Sequence, residues 1–262
     1  MYLTQKNITQ MPMHFFRKTL VVFALFSCVS LSFAQSSSVD RNMMTLSGLV
    51  TQTFINSLLY FDGDHRSKDA MDQSMSDIDT VLASFENNDF KDAGLLNRIR
   101  GQWLLVNKHI KEIPEEAGYS YFYLERLSKS IDEMSALINQ SIAEQRSEIH
   151  PKNYDLYLAN SDMLKVVSMH LSSAVMDVGN DDASRALLKK HCLGTDEKIN
   201  KVVANNPKVK SYVLRSWKYI QAPICVTGKA GGNYTIAHFS KQIFTKLNDL
   251  YVGREGLSKV GG

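Results

Sequence analysis

LRSWKYIQAPICV, residues 214–226, sets a tryptophan at the centre of an amphipathic run, ends the run at Pro223 and places a cysteine two residues later. A run of the same kind, NRIRGQWLLVNKHI, residues 97–110, lies about 114 residues earlier. Apolar residues recur at three- and four-residue spacing in both: Ile99, Trp103, Val106 and Ile110, then Val213, Trp217, Ile220 and Ile224. That is the period of one buried helix face. The later stretch reads either as a reactive thiol beside an aromatic site or as a core helix ending in a structural crosslink. The earlier copy favours the core helix.

The helical period extends outward from these two runs over nearly the whole chain from Val39, with no alternating strand pattern. A first helix is predicted over about Asp40–Tyr60, ending near Phe61-Asp62-Gly63-Asp64. Met71, Met75, Ile78, Leu82 and Phe85 mark a second, Leu96 to Ile113 a third, with Pro114 closing it or opening the next, and Tyr123 to Ile142 a fourth reaching about Glu148. Pro151 suits the first turn of a fifth, with a break at His150 because the residue before a proline avoids helical geometry. Gly179-Asn180-Asp181 supplies a stop and a new N-cap, Gly194 a kink or break, and Asn206-Pro207 a cap and first-turn pair. Thr227–Asn233 reads as a loop, Ile236 to Leu250 as the last helix, and Gly253 as its stop.

The two sets of four align: SDIDTVLA from Ser76 resembles DEKINKVVA from Asp196, Trp103 matches Trp217, and Ile131 with Met134 matches Phe244 with Leu247. The expected fold is all-α, two tandem four-helix bundle units of antiparallel up-down helices, residues 35–149 and 150–262. Whether the units stack end to end or fold back side by side is open at this stage.

Arg17 and Lys18 precede the apolar run TLVVFALFSCVSLSFA, residues 19–34, a secretory signal pattern with cleavage expected after Ala34. The alternative is a lipoprotein signal ending at Cys28. Cleavage would remove Lys6, Arg17 and Lys18 but no acidic residue, so the chain's net charge of +3 falls to near zero. No basic stripe remains for nucleic acid, and no integral membrane segment is expected after cleavage. The expected location is the bacterial periplasm or beyond.

Cys192 and Cys225 are the cysteines left after cleavage, and an oxidising compartment favours their pairing. Straight antiparallel helices turning near Asn206 would leave them about 7 Å out of register, slightly too far for a bond. A fold-back after Pro223 or a kink at Gly194 removes the mismatch. The rival reading is a reactive thiol, but Cys192 occupies a core-facing position that raises a thiol pKa, and Cys-x-x-Cys is absent.

No catalytic residue is assigned and no cofactor or metal is expected. Cys-x-x-Cys-His, Glu-x-x-His and His-Glu-x-x-His are all missing, and the histidines at 65, 109, 150, 170, 191 and 238 are unpaired at helical spacing. GKAGG, residues 228–232, lacks the phosphate-loop spacing. Methionines on the second and fifth helices leave haem open as an alternative, although Met on a seam is more often a gap-filler. Arg100 beside Trp103 and Arg215 beside Trp217 are the candidate ligand-binding residues: a guanidinium can fork onto a carboxylate while an indole forms an apolar wall. The competing reading is an arginine reaching from a core helix to solvent.

The helix order, the Trp-bearing third helix and a second helix closing in LASFENND, residues 82–89, resemble the periplasmic N-terminal sensing domain of type IV pilus methyl-accepting transducers, the PilJ type. The resemblance implies roughly hundred-residue four-helix units in tandem from about Val39 to Tyr251. TLSGLVTQTFINS, Thr45 to Ser57, echoes the family's first-helix motif only at Leu46 and Gly48. NSDMLKVVSMHL, Asn160 to Leu171, keeps Met163-Leu164 without the family's arginines, so no binding residue is carried over. The function expected is non-enzymatic: a sensory or envelope accessory protein without its own output domain, binding a small molecule or another envelope protein. A haem- or redox-carrying bundle and a structural or adhesion-related interaction module are the alternatives.

Overall fold

Gly63, at φ +91°, closes the first hairpin of the computed structural model. The model describes residues 39–85, 90, 92–113, 122–176, 181–227 and 232–251. The signal segment, Cys28, Pro114, Gly179-Asn180, residues 228–231 and Gly253 lie outside these. Helix α1 spans residues 39–61 and α2 Ser67–Ser84. The Asp64 N–H bonds the Leu59 carbonyl at 3.0 Å and the Gly63 N–H bonds that of Tyr60 at 3.1 Å. This C-terminal motif needs a left-handed residue, which glycine supplies without strain. Asn42 with Ser84, Thr53 with Ser74 and Ser57 with Met71 then pair across α1 and α2, each pair straddling Gly63 almost symmetrically.

The other helices are α3 Ala93–Lys111, α4 Phe122–Glu144, α5 Pro151–Met176, α6 Asp182–Val203, α7 Pro207–Gln221 and α8 Asn233–Asn248, with a π-helical turn Ala222–Thr227 after α7. No strand occurs among the described residues. Asp92 and Asp181 cap α3 and α6, accepting from the backbone N–H groups of Leu95 and Ser184 at 2.9 Å. Those bonds hold the Asp181 carboxyl below its usual range.

Asn206 and Pro207 stand at the N-cap and in the first turn of α7 as read, the Asn206 amide donating back to the Val202 carbonyl at 2.9 Å while its own carbonyl takes the Val209 and Lys210 N–H groups. Two local expectations are corrected. Helix α4 stops at Glu144 rather than Glu148, because the Glu148 and Ile149 N–H groups both fold onto Gln145 ahead of His150. Helix α6 runs unbroken through Gly194. Glycine inside a helix costs about 1 kcal/mol relative to alanine, and burial of Cys192, Thr195, Ile199 and Val203 along one face offsets it.

The outer helices bury one stripe each, whereas α1 and α5 are buried on nearly every side. Burial recurs in register between the two sets. Met71, Ser74, Ile78 and Leu82 of α2 are spaced as Cys192, Thr195, Ile199 and Val203 of α6, and Ile99, Trp103, Val106 and Ile110 as Val213, Trp217, Ile220 and Ile224. One continuous core cluster runs from Val39 to Tyr251, within a compact unit of residues 37–262. Helices α4 and α5 fold back side by side, the Tyr157 hydroxyl donating to Asn139 Oδ1 at 2.6 Å. Asp162–Lys198 and Asp155–Lys201 tie α5 to α6, and an amide pair, Asn160–Asn248, ties α5 to α8. No described helix is long and apolar enough to cross a membrane.

Candidate functional site

The sequence candidates do not converge on one site. Trp103 and Trp217 are buried core anchors, each with its indole N–H on an aspartate of the preceding helix: Trp103 on Asp79 at 2.6 Å, Trp217 on Asp196 at 3.0 Å. Arg100 reaches across to the Leu82 carbonyl at 3.1 Å. Arg215 is exposed beside Ser211, Tyr219 and Pro223 on a shallow face of α7, turned about 200° around the helix from Trp217. Trp217 does not line the surface recess beside Arg215.

Cys192 and Cys225 form a disulfide with Cα atoms 6.1 Å apart. No break forms at Gly194; Cys225 instead lies in the π-helical turn Ala222–Thr227, whose extra residues per turn take up part of the register mismatch. The bond therefore joins α6 to the segment after α7, and Cys225 together with Ile224 lines a cleft.

That cleft, about 820 Å³, lies between α1, α4, α5 and α6. Its origin is a polar seam. Helix α4 presents Ser128, Asp132, Ser135 and Asn139, and α5 presents Ser161, Lys165, Ser168 and Ser172. Both stripes follow the same spacing, one helical face each. Facing apolar stripes would close on one another to escape water; hydroxyls and charges gain little by doing so, and the helices stand apart. Ser47, Thr51 and Phe54 of α1 form the inner wall, with Leu188 of α6 at one side.

The charges in the cleft are unevenly held. Asp132 is open to water, yet the surrounding walls push its carboxyl above the usual range, against the pull of Lys165. Arg185 is paired with Asp182 at 3.0 Å. His170 lines the cleft but is only 5% exposed, and its Nε2 has no hydrogen-bond partner. Burial holds its ring below the ordinary histidine value, so it is neutral at pH 7. No described cleft serine is bonded to that Nε2. The arrangement supplies hydroxyls, one carboxylate, ammonium groups and a neutral imidazole, which suit recognition of a polar molecule.

A smaller cavity of about 310 Å³ lies between α1, α2 and α8, where Gln52 is buried with both amide atoms unpartnered. Among the described residues no group of three or more His, Cys, Asp or Glu side chains could hold a metal ion.

The signal for the cleft was present in the sequence as two matched polar stripes, residues 128–139 and 161–172. It was missed because a polar helix face ordinarily looks outward to solvent. No family model, curated protein or solved structure matches the chain.

Proposed function

We propose that the chain is an exported, non-enzymatic helical protein that binds a small polar ligand in the cleft between α4 and α5, in a sensory or envelope-accessory role. The observation that carries this reading is the cleft itself: it has ligand-sized volume, hydroxyl-rich walls and an unpartnered, buried His170. Export is supported by the signal pattern of residues 17–34, and the Cys192–Cys225 pair is a bond that an oxidising compartment favours. A duplicated four-helix unit is supported by the registered burial of α2 with α6 and of α3 with α7, and by the repeated Trp–Asp bond. The likeness to pilus transducer sensing domains points to the same sensory role.

The test is a thermal-shift screen of the purified protein against a metabolite library, repeated with Ser135→Trp, which fills the cleft from an α4 position outside the apolar seam. The reading expects stabilising compounds whose effect disappears in the variant. Hits unaffected by the variant, or a Soret band in the visible spectrum, would refute it in favour of another site or a haem-carrying bundle.

A further inference from the structure

Resting on the reading of the α4–α5 cleft as a binding site, we propose that its ligand is a small zwitterion of the amino acid class. Asp132 would take the ammonium group and Lys165 the carboxylate.

Asp132 and Lys165 stand on facing helices at corresponding positions of the two polar stripes, and both are open to water. Lys165 is the charge that acts on Asp132 across the cleft, yet no ion pair within 4.0 Å joins them. An acid and a base held apart on opposite walls match a molecule carrying both charges a few bonds apart. A zwitterion satisfies both at once with charge-assisted hydrogen bonds, while Lys189, the second ammonium in the lining, stays open to water on the α6 wall.

The rest of the cleft distinguishes a zwitterion from a plain anion or a polyol. Arg185, the guanidinium in the lining, already gives one nitrogen to Asp182 at 3.0 Å in a pair open to water, which weakens it as a site for a lone carboxylate. A plain anion would also have to approach Asp132, whose carboxylate repels it. Ser135 lies one turn from Asp132, and Ser161 and Ser168 lie one turn on either side of Lys165, where hydroxyls can accept from an ammonium or donate to a carboxylate.

Calorimetry on the purified protein tests the assignment with alanine, β-alanine and γ-aminobutyrate, which vary the charge separation, and with propionate, ethylamine and glucose as partial mimics. At least one zwitterion should bind while the three mimics do not. Asp132→Asn and Lys165→Met should each weaken binding by about tenfold to a hundredfold, the scale of one charge-assisted hydrogen bond. Because both side chains are open to water, their melting temperatures should match the parent. Binding of propionate or glucose that ignores Asp132→Asn would overturn the zwitterion class and leave the cleft reading standing. Failure of every amino acid, with other library compounds binding in the cleft, does the same. Failure of the whole metabolite library overturns both.

Discussion

Gly48 of α1 lies against the ring of Phe244 in α8, so close that a methyl carbon added to it would sit 2.0 Å from Cε2 and 2.6 Å from Cζ. Phe244 is itself buried and packed into the core cluster, so its ring has little room to yield. A first-helix glycine therefore sets how tightly two helices nearly two hundred residues apart in sequence can approach.

Gly48→Ala should lower the melting temperature, although the same change at an uncrowded helix position would stabilise by about 1 kcal/mol. Overpacking a buried ring is expected to cost about 1–3 kcal/mol net. Adding Phe244→Leu should recover part of that loss, so the double variant should be less destabilised than the sum of the singles in urea melts. An alanine variant as stable as the parent would show that the ring is free to move.

The Trp–Asp bonds should differ from ordinary core packing in size. Asp196→Ala strips the Trp217 indole N–H of its partner at a half-buried edge that water can reach, an expected loss of about 1 kcal/mol. Trp217→Ala removes a fully buried ring and should cost about 3–5 kcal/mol. Urea midpoints and the emission wavelength of the remaining tryptophan measure both, and equal losses in the two variants would contradict the assignment.

Removing the crosslink should act on stability and binding together. The cysteines are 33 residues apart in sequence, and on the chain-entropy estimate closing such a loop stabilises by about 3–4 kcal/mol. Cys192→Ser with Cys225→Ser should lower the melting temperature accordingly. Because Cys225 lines the cleft, the pair should also weaken any ligand found there. Thiol titration of the protein prepared under oxidising conditions should find neither Cys192 nor Cys225 free.

The acid side of the stability profile should carry the signature of His170. Burial lowers its pKa in the fold from an ordinary value of 6.5, so the unfolded chain takes up a proton more readily. The stability from keeping it neutral is therefore full above about pH 6.5 and is lost as pH falls through the lower folded value. His191 is shifted in the same direction, chiefly by desolvation and then by Lys165. Asp64, held low by its bonds to Arg66, and Asp181 lose their contribution only at more acid pH, below the ordinary carboxylate value of 3.8. Melting temperatures between pH 8 and pH 5 should fall less steeply in His170→Gln than in the parent; an unchanged slope would assign the effect elsewhere.

The all-helical fold was legible because its cause is local and periodic. Ile99, Trp103, Val106 and Ile110 can share a buried face only in a helix, and Asp181, Pro151, Pro207 and Gly63 act on the residues next to them. The cysteine pairing followed from composition and the compartment expected from the signal pattern. The turn that permits it did not, since the register was open at both Gly194 and Pro223 and the packing around the pair closed it at Pro223. The tryptophans were placed as core anchors, Arg100 reaches the Leu82 carbonyl, and Arg215 lies about 200° around its helix from Trp217, a separation that follows from their two-residue spacing.

By itself, then, the sequence determined which residues form helices and which face of each outer helix is buried, because hydrophobic periodicity acts over a few turns. Only the tertiary structure decided that α1 and α5 are enclosed on nearly all sides, that α4 and α5 fold back on one another, and that Ser128–Asn139 and Ser161–Ser172 meet across a cleft. Those outcomes depend on which faces oppose one another at long range, and a polar stripe reads the same whether it opposes water or another polar stripe.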